Sequence, residues 1–228
     1  MPGYIMHMAE GTLILNAMEK KQTKEWEEAF IVGNLLPDTK KKMEKVTSHF
    51  WDPDTLEQMA IAPDLPRFLK KYGTKLEDPV LLGYYAHLYL DHQFVTEYWP
   101  GMVEFYDDEG RRKSKKEEIT KAKLGITGEI VPRDTFFSDE YYYGDYTKLN
   151  NYFVQKYEIK LDLSYEEDQP CPIEEVKFSD LNEVMTELKS IMAKGRLEDR
   201  KKIKVFSEKR LCSFLENTAK EFAAMLQI

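Results

Sequence analysis

Apolar residues recur at three- and four-residue spacing along most of the chain, which predicts helices over roughly 4–19, 24–36, 79–98, 145–158, 180–194 and 205–226. In the last of these, Val205, Leu211, Phe214, Leu215, Phe222, Met225 and Leu226 fall on one face. Asp180-Leu-Asn-Glu183 has the form of a capping box, an N-cap acceptor with a glutamate three residues on, opening a helix with Leu181, Val184, Leu188 and Ile191 inward. Two stretches break the helical spacing. Asp107 to Glu118 runs from acids into Arg111, Arg112, Lys113, Lys115 and Lys116, and Leu161 to Pro172 is acidic and ends Pro-Cys-Pro; both read as surface connections. Lys160 to Tyr165 alternates polar and apolar residues, as a short strand would. The pattern predicts an all-α fold with long loops and at most a minor β element.

Composition narrows the function class. With 228 residues, 42% hydrophobic and 13% aromatic, there is ample material for a core. A net charge of −8 argues against general nucleic-acid binding, since that affinity comes from neutralising phosphates with Lys and Arg. The start lacks a cationic region followed by an apolar run, with Glu10 where that run would lie. The longest nearly apolar stretch, Val80 to Leu90, is too short to span a bilayer. Cys171 and Cys212 make no disulfide framework and no C-x-x-C pair, so a reduced, cytoplasmic setting is expected, and any metal would be held by imidazole and carboxylate.

All four histidines lie within the first 92 residues, three of them in the company of spaced carboxylates: His7, Asp38, His49, then His87 and Asp91. Four residues apart on a helix, His87 and Asp91 share a face and offer a nitrogen and an oxygen to one cation, both of which zinc accepts at about 2.0–2.2 Å. Each residue also has a plain reading. His7 alone is an ordinary partly buried histidine, Asp38 after Pro37 a turn or cap residue, and His49 a ring packed on Phe50 and Trp51. His87 with Asp91 can be a hydrogen-bonded pair with no metal. His92 is turned about 100° from Asp91 on the helix and has no assigned role. Tyr141, Tyr142, Tyr143 and Tyr146 read as pocket wall or as core rim, and the Arg111 to Lys116 run as a solvated loop or an anion contact.

Met1 to His7, Gly33-Asn-Leu-Leu-Pro-Asp38, Ser48-His49-Phe50 and Gly83-Tyr-Tyr-Ala-His87-Leu-Tyr-Leu-Asp91, taken in order, resemble the zinc-dependent phospholipase C family, itself related to the S1/P1 nucleases. The resemblance covers residues 1 to about 95; residues 96–228 carry no matching ligand motif and are expected to complete one helical domain and wall the cleft. It implies a helical bundle of that family's type. Asp38, His49, His87 and Asp91 would surround one zinc, and Asp91 would bridge to a second that His7 helps hold. The family's free amino terminus is a further ligand, which here would be the Pro2 amine after removal of Met1. The absence of any histidine after His92 departs from the family's third metal position, so one or two ions are expected. Zinc is implied, although an N/O ligand set also suits iron, manganese and nickel.

The function implied is hydrolysis of a phosphoester, most plausibly a phosphodiester in a small or phospholipid-like substrate, by a zinc-activated water, with Asp38 and Asp91 as the catalytic carboxylates and Glu10 a weaker candidate for proton transfer. The competing expectations are a non-catalytic, metal-stabilised helical binding protein and a nuclease for short single-stranded nucleic acid.

Overall fold

The computed structural model describes residues 2–194 and 197–226. Helices account for 61% of the chain and strands for 6%, as the all-α expectation with a minor β element requires. In chain order the helices are α1 (Tyr4–Ala17), α2 (Lys24–Leu35), α3 (Lys45–Ser48), α4 (Leu65–Tyr72), α5 (Pro79–Gln93), α6 (Arg133–Phe136), α7 (Tyr142–Lys156), α8 (Leu181–Lys194) and α9 (Glu208–Met225). A π-helical turn, Phe94–Tyr98, extends α5 to the predicted end.

Local chemistry sets several of these boundaries. Thr23 accepts a hydrogen bond from Trp26 N and so caps α2. Asp78 accepts from Val80 N and Leu81 N at 2.8 and 3.2 Å, with Pro79 opening α5, where its missing N–H costs nothing. Ser207 caps α9 by accepting from Arg210 N. Val205, expected inside that helix, precedes it, and Met225 is exposed rather than inward.

The capping box lies elsewhere than expected. Asp180 accepts from Lys177 N at 3.1 Å and closes a 3-10 turn before α8, while Glu183 pairs with Lys41. Leu181, Val184 and Leu188 are buried as predicted; the Ile191 side chain lies outside the described residues. Lys160 to Tyr165 forms no strand. The strands are β1 (Val103–Tyr106), β2 (Lys121–Leu124) and β3 (Ile130–Pro132), an antiparallel sheet in which Val103 faces Leu124 and Ala122 faces Val131. At three or four residues each, they are too short for alternation to stand out. The Asp107 to Glu118 segment lies wholly within the β1–β2 connection, most of it exposed as a surface connection should be.

A single apolar cluster runs from Ile5 to Phe222, joining the first and last helices. Its centre is the crossing of α2 and α5, where glycine lets two backbones touch. A methyl added at Gly33 would overlap the carbonyl of Val80, and one added at Gly83 the carbonyl of Phe30. Among the described residues, no helix is long and apolar enough to cross a membrane.

Candidate metal centre

Four segments deliver the candidate ligands. His7 projects from the first turn of α1, Asp38 from a 3-10 turn (Leu36–Thr39) that continues α2, His49 from the C-cap of α3, and His87 and Asp91 from one face of α5. The turn after His49 is unusual, because Phe50 has φ 53°, a left-handed conformation that costs a bulky residue about 1–3 kcal/mol. Packing holds it there. The Phe50 ring meets Phe68 edge-on at 5.2 Å and is buried beside Tyr84, whose hydroxyl donates to the Ser48 carbonyl.

The side chains converge. Ligand atoms of His7, His87 and Asp91 lie within 4.8 Å of one another, and so do those of Asp38, His49 and His87. His49 Nε2 is 3.4 Å from His87 Nε2, 3.4 Å from Asp38 Oδ1 and 3.7 Å from Asp91 Oδ2; His87 Nε2 is also 3.7 Å from Asp91 Oδ2. The other Asp91 oxygen faces His7 Nε2 at 3.5 Å. The two oxygens of Asp91 thus look towards different imidazoles, the disposition a bridging carboxylate needs. The rings of His7 and His87 stack at 3.6 Å.

Neighbouring groups fix two of the imidazole tautomers. His87 Nδ1 lies 2.8 Å from the Asn34 carbonyl, which can only accept, so Nδ1 carries the proton and the neutral ring turns an Nε2 lone pair inward. Ser48 Oγ is 2.9 Å from both the Pro37 carbonyl and His49 Nδ1. Its one proton goes to the carbonyl, so His49 Nδ1–H donates to Ser48 and its Nε2 lone pair also faces inward. Two lone pairs 3.4 Å apart repel unless a cation or a proton lies between them. Both ring nitrogens of His7 and both oxygens of Asp91 are buried without a hydrogen-bond partner, the two side chains approaching no closer than 3.5 Å. This donor set, two imidazoles and two carboxylates with a third imidazole beside them, could hold a metal ion.

No family model, curated protein or solved structure matches this chain. The likeness stated above therefore rests on the residues themselves, and the centre is judged by its own geometry.

A cleft of about 1040 Å³ opens beside the cluster. Asp38 lines it, whereas Asp91, 1% exposed, sits behind the imidazoles. Pro2 lines the same cleft; Met1, whose removal the amine-ligand expectation requires, lies outside the described residues. Tyr142, Tyr143 and Tyr146 form part of the wall, so three of the four tyrosines serve the pocket reading; Tyr141 is buried and its hydroxyl donates to Glu129. Of the Arg111 to Lys116 run, Lys116 alone reaches the cleft. His92 stays outside the cluster, 3.4 Å from Gln93 Oε1. Sequence reasoning gave no role to Asn34, Ser48 or Lys45. The first two lay inside the quoted motifs, and Lys45 is four residues before His49, but only tertiary contact reveals what each touches.

Glu10 is fully buried and does not line the cleft, which removes it as a proton-transfer group for a substrate there. Asn34 Nδ2 approaches its Oε2 at 3.5 Å, and Oε1 has no partner. Burial drives its pKa well above the ordinary 4.5. Burial opposes ionisation of Asp38 as well, but the Lys45 ammonium, joined by His49 and His87 whenever those rings carry a proton towards it, outweighs burial and holds that carboxyl well below 3.8. His7, with His87 and His49, likewise keeps Asp91 below its ordinary value. Burial and then His7 push His87 well below 6.5.

These shifts give metal-free protein a bounded pH range. His87 binds its proton more readily when unfolded, so its stabilising effect is lost as pH falls below about 6.5; that of Asp38 and Asp91 is lost below about 4. Glu10 acts in the opposite sense, since the folded state prefers its protonated form and loses stability as pH rises above about 4.5. In chelator-treated protein, Glu10→Gln is expected to add about 1–3 kcal/mol at pH 7 and little at pH 4. Urea unfolding at the two pH values measures this, and equal gains at both would contradict a neutral buried Glu10.

Proposed function

We propose that this chain is a metal-dependent phosphoesterase of the zinc-dependent phospholipase C kind, acting on a phosphodiester. The observation that carries the reading is the inward pair of Nε2 lone pairs on His49 and His87, their tautomers fixed from behind, with Asp38 and Asp91 closing the set. Zinc fits these donors best, held by His49, His87, Asp38 and Asp91, with His7 and the second oxygen of Asp91 able to hold another ion. An ion held there would supply Lewis-acid activation of a water and charge stabilisation at a phosphoryl oxygen. Asp38, at the cleft wall, would take a proton from a water in the cleft, while Asp91, one oxygen towards His7 and the other towards His49 and His87, would help hold the ion. The cleft supplies the substrate volume directly beside Asp38.

A second reading has its own support. Four of the five ligands are 0–1% exposed, as in a closed structural metal site, which would make the centre a brace for a binding protein. The two readings part in one experiment. Purified protein is analysed for metals by plasma mass spectrometry, then assayed with and without zinc on generic phosphodiesters, phosphomonoesters, phospholipid and single-stranded DNA. Near-stoichiometric metal with zinc-dependent phosphodiester cleavage supports the phosphoesterase. Metal without turnover on any substrate supports the brace, cleavage confined to DNA points to a nuclease, and absence of metal after reconstitution removes the centre.

A further inference from the structure

We propose that Lys45 is the residue that binds the phosphoryl oxygens of an anion entering the cleft, because its ammonium alone among the described cleft cations touches both the ligand cluster and the open volume. The inference rests on the phosphoesterase reading and adds a binding residue to it. Lys45 opens α3, and its Nζ pairs with Asp38 Oδ1 at 2.5 Å. Its side chain is 30% exposed, and it lines the cleft beside Asp38. The other two cations of that wall are tied elsewhere: Lys116 Nζ donates to the Leu56 carbonyl, and Arg133 is held by Asp134 and by the carbonyl of Lys116.

Charge and geometry agree. Asp38 and Asp91 make the cluster anionic, and Asp134, Asp139 and Glu187 add carboxylates to the cleft wall. A phosphate approaching the cleft wall meets Asp38 there, and Lys45 is the cation at that point beside any bound metal ion. An ammonium has three donors in tetrahedral disposition; one serves Asp38, and the other two are available to phosphoryl oxygens. The rival explanation is that Lys45 only holds Asp38 in place for the metal.

The test is titration calorimetry with inorganic phosphate on zinc-reconstituted wild type, Lys45→Met and Lys45→Arg, with metal content measured for each. Loss of a charge-assisted contact should weaken phosphate about 10–100-fold in Lys45→Met, with metal content unchanged and most of the affinity restored in Lys45→Arg. Phosphate affinity within twofold of wild type in Lys45→Met would overturn the proposal, as would loss of metal in that variant or no phosphate binding by wild type. If phosphate binding depends on Lys45 but no phosphoester is cleaved, the phosphoesterase reading fails and the anion site stands.

Discussion

His87→Ala is expected to leave the purified protein without bound metal, the largest functional effect of any single substitution in this chain. His87 is the ligand shared by both groups of converging donors, so its loss empties either arrangement. A partner that merely orients a ligand changes metal affinity by about 10–100-fold, and a ligand shared by both groups should exceed that. Ser48→Ala provides the graded comparison: it removes no ligand, only the hydroxyl that orients His49 and donates to the Pro37 carbonyl, and should fall within the smaller range. His87→Ala also opens a buried cavity and orphans the Asn34 carbonyl, at about 2–4 kcal/mol, offset in part by relief of the His49–His87 lone-pair repulsion. Elemental analysis beside circular dichroism separates lost metal from lost fold. Full metal occupancy in a folded His87→Ala would refute the centre.

Gly83→Ala should produce a large loss of stability. The added methyl would overlap the Phe30 carbonyl oxygen and lie 2.9 Å from Asn34 N, both main-chain atoms of α2 that no rotamer change can move away. Overpacking against a side chain costs about 1–3 kcal/mol, and against a helix backbone the cost should reach or exceed the upper end. The damage should reach the centre too, because the Asn34 carbonyl that holds the His87 tautomer belongs to the same contact. Urea unfolding, with metal content as the second readout, tests this. A midpoint shift worth under 1 kcal/mol would show that α2 and α5 are free to move apart.

The sequence was most legible where one period repeats over many residues. α1, α2, α5, α7, α8 and α9 all lie within a few residues of the stretches marked by apolar spacing, because each packs over at least three turns; α7 and α9 bury one face, whereas α1 and α5 are buried nearly all round. The sheet was not legible, since Lys121 to Leu124 offers only two inward positions, and the alternating Lys160 to Tyr165 segment has no partner strand. In the centre, residue type and spacing singled out the five candidate ligands, each weak by itself, and the family resemblance gave the set its weight. They could not reveal that Asp91 is shut away from the cleft while Asp38 lines it, nor that Glu10, one turn from His7, faces the protein interior. Those facts depend on how α1 is rotated against α2 and α5, which no local pattern encodes. Lys45 was illegible for the same reason: its partner is seven residues away and joined to it only through the 3-10 turn.

The helix that carries His7 packs chiefly against α9, the last helix of the fold. During synthesis every candidate ligand has left the ribosome once residue 91 emerges, yet the surface that seats α1 is not complete until more than a hundred further residues have been added. His49, His87 and the two aspartates therefore emerge well before the α9 surface that helps seat His7. Any cation capture at the complete cluster should be a late event, timed by completion of α9 rather than by appearance of the candidate ligands.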